Sequence, residues 1–289
     1  MFAVLGVTGH TGKVVAERLL AQGAGVRVVV RDAAKGAPWA ARGAEVAVAD
    51  VSDAAALTRA FAGVKGAYVL LPPDATSTDF VALQKRRADA VGAALSAAKV
   101  PHVVLLSSVA AQFPDGTGPI KTVHYAEKVF AGATPRRSYL RAAYFMENIG
   151  GSLGALKDGI YPSFIRADIA ADMVATVDIG RVGADLLLSG GVDGTQIVEL
   201  SSGPHGYTAG QIAEILGKLV GRPIQLVSPP LEAVVPTFTS FGMSENVAGL
   251  YKEMLTAFNA GGDPWEHTGW TVRGPTKLED VLAAMLTGG

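Results

Sequence analysis

The chain has 289 residues, 49% of them apolar and 18% charged, with 35 glycines, no cysteine and a net charge of −1. That length and apolar share suit a packed α/β protein with a large core and exclude a disordered chain. The missing cysteines exclude disulfides, thiolate nucleophiles and Cys-ligated metals, and the near-neutral charge, without a block of one sign, excludes a charge-driven nucleic-acid or anionic-membrane surface.

Residues 2–7 (FAVLGV) predict a buried strand at the start of the chain, so no signal peptide is expected before it. No apolar run reaches the ~18 residues of a membrane span, and the expected location is the cytoplasm. Gly6, Gly9 and Gly12 follow the strand as GxxGxxG, and residues 13–22 read as a helix with Val14, Val15, Leu19 and Leu20 on its apolar face. Further strands are predicted at 26–30, 45–49, 67–71, 102–106 and 138–143. These runs are short and apolar on both faces, as parallel strands covered by helices on both sides are. Helices are predicted at 54–61, capped by Ser52 or Asp53, and at 80–98, capped by Thr78 or Asp79. The alternation predicts an α/β, Rossmann-type, doubly wound parallel sheet in residues 1–150.

Past residue 150 the rhythm changes. Helices are predicted at 178–189, 208–220, 245–259 and 277–286, with strands at 196–200 and 224–227. Residues 151–289 are therefore read as a smaller, mainly helical C-terminal lobe, some of whose segments return to the main sheet. Residues 261–270 carry Trp265 and Trp270 and read as a lid, a dimer contact or packing. The chain is expected to be a monomer or a homodimer.

Strand, glycine turn and helix in that order form a dinucleotide-binding pattern. A pyrophosphate must reach backbone N–H groups at a helix N-terminus, where the dipole favours negative charge and a Cβ would stand in the way. Arg31 ends the second strand, where an NAD site has a carboxylate for the ribose diol and an NADP site has an arginine for the 2′-phosphate. Arg31 with Lys35 favours NADP(H) over NAD(H), while Asp32 is placed to take the ribose role instead. Asp50, ending the third strand, either meets an adenine amino group or caps a turn. Ser107, ending the fifth strand, either bonds a substrate carbonyl or its own backbone. His10, His102, His124, His205 and His267 are scattered and form no metal-binding pattern. No G-x-S-x-G elbow supports serine hydrolysis.

These pieces, taken together, resemble a known group. Gly6 to Gly12, Arg31-Asp32, Ser107-Ser108, His124-x-x-x-Lys128, LRAAYFMEN at 140–148 and MVATVDIG at 173–180 resemble the NmrA-like family of atypical short-chain dehydrogenases/reductases. The resemblance implies a Rossmann domain, a small C-terminal lobe and a substrate cleft between them. It implies NADP(H), with Gly6, Thr8, Gly9, His10, Thr11 and Gly12 around the phosphates. Leu71, Pro72, Tyr144 and Phe145 are further candidates for cofactor contact. Phe113, Met146 and Asn148 are the candidates for substrate contact.

The departure from the wider group concerns proton transfer. Typical short-chain dehydrogenases carry Tyr-x-x-x-Lys, in which the tyrosine gives a proton to the carbonyl and the lysine holds the nicotinamide ribose. Here His124 stands at the tyrosine position and Lys128 at the lysine position, on one face of a helix. Tyr125 is turned about 100° away. His124 either exchanges a proton with substrate or bonds the ribose. The catalytic candidates are therefore His124, Lys128 and Ser107. Two functions follow. One is an NADPH-dependent reductase passing hydride to a small conjugated or aromatic acceptor such as a quinone, which tolerates loss of the tyrosine. The other is a non-enzymatic NADP(H)-binding redox sensor. A sugar-nucleotide epimerase is disfavoured, because that chemistry needs the absent tyrosine.

Overall fold

The computed structural model describes residues 1–288. Strands β1 (Phe2–Leu5), β2 (Val26–Val30), β3 (Glu45–Val48), β4 (Gly66–Val69), β5 (His102–Ser108) and β6 (Arg136–Ala142) alternate with helices α1 (His10–Ala21), α2 (Ala33–Ala40), α3 (Ala54–Phe61), α4 (Phe80–Ala97) and α5 (Lys121–Ala131). The chain continues through β7 (Tyr144–Phe145), a 3₁₀ stretch (Met146–Asp158), β8 (Ile160–Pro162), β9 (Met173–Val174), α6 (Thr176–Ser189) and β10 (Gly194–Ser202). It ends in α7 (Ala209–Val220), β11 (Gln225–Val227), α8 (Val234–Ser240), α9 (Glu245–Ala260), β12 (Trp270–Gly274) and α10 (Leu278–Leu286).

Eight strands form one sheet in the order β12-β10-β6-β5-β4-β1-β2-β3. All of its neighbours pair in parallel. The strand alternation sorts the core into two layers. Phe2, Val4, Val28 and Tyr68 pack with Val15 and Leu19 of α1, Trp39 of α2 and Leu187 of α6. Ala3, Leu5, Val29 and Val69 face the other way, onto Leu57 and Phe61 of α3, Leu95 of α4 and Phe130 of α5. The strand order reverses between β1 and β4, and a crevice opens there at the carboxyl ends of the strands.

No helix is predicted from sequence at α2, whose span holds Gly36 and Pro38, residues that disfavour a helix interior. The helix forms because Asp32 caps it, accepting from the Ala34 N–H at 2.9 Å, and because Trp39 is buried against the sheet. Gly36 is required by packing, since a Cβ there would lie 2.3 Å from Val46. The residues after 150 divide among three places. α6, β10 and β12 join the main sheet, the 3₁₀ stretch, β8, β9, α7, β11 and α10 build a third core of Met146, Leu156, Tyr161, Met173, Leu216 and Leu282, and Met254 of α9 packs with Ala111 and Ile120. The last helix starts after Lys277 without a side-chain cap, and Thr276 donates its hydroxyl to the buried Asp178 at 2.9 Å.

Near the amino ends of the strands, a polar chain crosses three of them. Ser138 on β6 donates to Gln196 Oε1 at 3.2 Å, so it accepts from His102 Nε2 at 3.0 Å. His102 is fully buried, and its Nδ1 has no partner. Burial, reinforced by the Arg136 charge, pushes its pKa down to about 4. A depressed histidine favours the fold only while neutral: the unfolded chain takes up a proton near 6.5 and the folded chain does not. Stability should thus fall by roughly 2–3 kcal/mol between pH 6.5 and 4 through this group alone. Urea unfolding across that range should show the extra slope, and His102→Gln should remove it.

Candidate active site

The three glycines of the first turn have three different roles. Gly6 has φ +73°, a conformation that favours glycine, and a Cβ there would lie 2.5 Å from Leu70. A Cβ on Gly12 would lie 2.5 Å from the backbone of Leu5 and Gly6, so α1 approaches β1 only because this residue is glycine. Gly9 is not required by packing: its Cβ would meet only Gly6 O, at 3.5 Å. Gly9 is the N-cap of α1, with no side-chain cap on the helix, and Thr8, Gly9 and His10 are exposed while Thr11 is buried. An open, uncapped helix N-terminus whose nearest Cβ has been removed fits a pyrophosphate.

The neighbouring strand ends supply the rest of the crevice. Leu71 and Pro72 follow β4, facing the Gly6 turn through Leu70. Two residues that sequence reasoning missed fix this loop. Gln84 Nε2 and Arg87 Nη1 on α4 both donate to the Pro72 carbonyl, at 2.9 and 2.7 Å. Arg31 and Lys35 are exposed, and among the described residues Arg31 forms no ion pair. Asp32 has one oxygen engaged in capping α2. Asp50 accepts from the Ser52 N–H at 2.8 Å, in a turn after β3.

Helix α5 carries His124 and Lys128 one turn apart. His124 Nδ1 lies 2.7 Å from Ala111 O. A carbonyl only accepts, so Nδ1 bears the proton. Nε2 is buried without a partner. Lys128 is exposed. Tyr125 points elsewhere, donating to Asp89 on α4 at 2.9 Å. Between them, Glu127 turns inward and is 7% exposed. It accepts from Ser107 Oγ at 2.6 Å and from Arg141 at 3.0 and 2.8 Å, in a two-pronged pair. The Ser107 hydroxyl therefore serves a third use, outside the two foreseen for it. Arg141 also pairs with Glu266.

Glu266 belongs to the segment that reads from sequence as lid, dimer contact or packing. Its backbone and that of His267 donate to buried Glu199 at 2.8 and 3.0 Å. Pro264 O accepts from the Ala110 N–H and from Gln112, at 3.1 and 2.9 Å. Trp265 donates to Asp172 at 3.0 Å. The segment is a strap across the carboxyl ends of β5, β6 and β10, held by its own chain.

Beyond β6 lies a cavity of about 670 Å³. Tyr144 and Asn148 line it together with Tyr161, Phe164, Phe238 and Tyr251. Phe113 lies apart, in a second cavity of about 330 Å³ with Met254 and Phe258. Helix α9 contributes to both, with Tyr251 and Leu255 on the larger and Met254 and Phe258 on the smaller. Phe145 packs on the sheet core, and Met146 is fully buried in the third core. The structure thus gathers the glycine turn, Arg31, Asp50, Leu71 and Pro72 at one crevice. It places Ser107, His124 and Lys128 on β5 and α5, and it separates Phe113 from Asn148. Tyr161 and Tyr251 carried no sequence signal, because each is a single aromatic in an ordinary apolar pattern.

Comparison with known proteins follows the same outline. A model of the NmrA-like family matches residues 1–267. An NAD(P)H azoreductase of Xenophilus azovorans is 25% identical over 257 residues, 88% of this chain and 86% of that protein. Quinone oxidoreductase 2 of Escherichia coli (strain K12) is 27% identical over 277 residues, 91% of this chain and 89% of that one. The crystal structure of a Citrobacter sp. triphenylmethane reductase complexed with NADP(H) matches with a TM-score of 0.79 over 98% of this chain and 100% of that one, at 20% identity, a likeness of fold.

Two substitutions separate packing from binding at the turn. Gly12→Ala should lose roughly 1–3 kcal/mol of stability in urea unfolding, because the new methyl meets backbone. Gly9→Ala should keep stability within about 1 kcal/mol and weaken nucleotide binding instead. Arg141→Met leaves the Glu127 carboxylate buried and unpaired. It should cost about 3–5 kcal/mol and should expose the strap to limited proteolysis between residues 261 and 268.

Proposed function

The chain belongs to the NmrA-like family, and on that premise we propose that it is an NADPH-dependent reductase passing hydride to a small conjugated or aromatic acceptor such as a quinone. The observation that carries this reading is the pairing of the open, Gly9-centred helix N-terminus with an aromatic-lined cavity beyond β6, at the same carboxyl edge of the sheet. Its relatives are named for reducing azo compounds and quinones.

The nicotinamide, when bound, supplies the hydride; the chain supplies position and a dry pocket. Backbone N–H groups of the first turn of α1 hold the phosphates. The unpaired Arg31 guanidinium offers two parallel donors to a 2′-phosphate, and Lys35 adds a second charge. Asp32, half engaged as a cap, is the weaker claimant for a ribose diol. Lys128 on α5 is free to meet the nicotinamide ribose. His124, with its Nδ1–H committed to Ala111, has no proton on Nε2 while the ring is neutral. An acceptor that stabilises its own developing charge suits this arrangement better than a simple ketone, which needs a protein acid.

Titration of the purified protein with NADPH, NADP+, NADH and NAD+ should show tightest binding of NADPH. Arg31→Glu should weaken NADPH at least about tenfold, the loss of a charge-assisted pair, while leaving NADH within about twofold. Equal weakening of both would overturn the NADP assignment. NADPH consumption with a quinone panel should follow, and should persist in His124→Ala. Tight binding with no turnover of any acceptor would overturn the reductase reading in favour of the redox sensor.

A further inference from the structure

The larger cavity has a chemistry of its own. Four tyrosines line it; the Tyr207 hydroxyl is engaged by the Leu278 backbone, which leaves three from three elements, Tyr144 on β7, Tyr161 on β8 and Tyr251 on α9. Among the described residues, the hydroxyls of Tyr161 and Tyr251 form no hydrogen bond, and the Tyr144 oxygen faces the Asn148 amide, which donates to it and leaves the phenol O–H to donate elsewhere. Elsewhere Tyr139 pairs with Glu127 O at 2.5 Å and Tyr125 with Asp89 at 2.9 Å, while the buried Tyr68 hydroxyl has no partner among the described residues. Tyr68 is sealed in the core, away from either cavity. A phenylalanine would fill the same volume without an unpaired hydroxyl, so packing does not account for three of them at one wall.

The three are neighbours electrostatically as well. Burial, and after it the Tyr251 hydroxyl, pushes Tyr144 up to about 12. Burial and then Tyr144 raise Tyr161, and burial raises Tyr251. All three therefore keep their protons and stand as donors. The remaining walls are aromatic: Phe164 and Phe238 meet edge to face at 5.9 Å, and Phe238 and Tyr251 at 5.4 Å. Phe241, 72% exposed, stands at the mouth. Lys157 and Asp158 are the charged residues of the lining, exposed and of opposite sign. Nothing in this wall compensates a buried ionic charge.

We propose that this cavity takes a neutral, flat aromatic carbonyl compound of naphthoquinone size, and that the hydroxyls of Tyr144, Tyr161 and Tyr251 hold its oxygens by hydrogen bonds. Edge-to-face walls fit a planar ring, unpartnered phenol O–H groups donate to carbonyl oxygens, and the volume lies in the range of small-molecule sites. The proposal deepens the reductase reading, on which it rests for the ligand's role as hydride acceptor; binding is tested without it.

The probe is 2-methyl-1,4-naphthoquinone, titrated by equilibrium dialysis in the absence of any nicotinamide nucleotide, with 2-methylnaphthalene as the same shape without oxygens. Tyr144→Phe and Tyr251→Phe should each weaken the quinone about three- to tenfold and leave the hydrocarbon within about twofold. In the wild-type protein, the infrared carbonyl band of the bound quinone should move to lower wavenumber, a readout that needs no variant to fold. Thr237→Trp, which fills the cavity, should abolish binding of both. An unshifted carbonyl band, quinone affinity equal in all tyrosine variants, or quinone binding that survives Thr237→Trp would each overturn the proposal. Quinone bound with a shifted band but never reduced by NADPH would sink the reductase reading and leave this one standing. Turnover with an unshifted band would do the reverse.

Discussion

Arg141 is buried where β6 ends, and a guanidinium in that position must be paired. Its partners come from two distant stretches of chain. Glu127 takes two of its donors and also receives the Ser107 hydroxyl, so β5, β6 and α5 are locked at one point. Glu266 pairs with a third and fixes the strap. The pairing also sets what α5 presents. With Glu127 turned inward, His124 and Lys128 are held at a defined angle on either side of it, one turn apart. The geometry on which any chemistry at α5 depends is therefore set by a group that does none of that chemistry itself.

The crevice and the cavity obey different rules. In the proposed reading the main chain recognises the phosphates at the crevice, and glycines are needed there because side chains would obstruct it. Gly6 turns the chain, Gly12 lets helix and strand touch, and Gly9 leaves space. At the cavity side chains do everything: rings make the walls and phenols supply the polarity. A backbone site suits a ligand that never varies, such as a nucleotide phosphate. A side-chain site can be altered ring by ring, which agrees with a family whose named members reduce azo compounds and quinones.

That difference explains what could be read in the sequence. Every strand of the sheet except β12 was legible, because two-sided burial writes an apolar run into the chain. The glycine turn was legible because backbone constraints appear as residue identities. Helix α2 was not, since its cap and its buried Trp39 outweigh two residues that usually break helices. The Ser107–Glu127–Arg141–Glu266 cluster was invisible, because it joins positions far apart in sequence by charge alone. The tyrosines of the cavity were hidden for the same reason: Tyr161 and Tyr251 are ordinary in their own segments and significant only side by side.

The order in which the sheet is completed has a kinetic consequence. Strands β1 to β6 and their helices use the first 142 residues, pairing mostly with near neighbours in sequence. β12, the sheet's outermost strand, comes from Trp270–Gly274 and pairs with β10 some 70 residues earlier, after three helices have intervened. During synthesis the nucleotide crevice can close while the strap is still being made, and the long loop that brings β12 home is the slowest to be drawn in. The side of the molecule that carries the strap is thus the last to assemble, and the buried Arg141 waits on the arrival of Glu266 for its second partner.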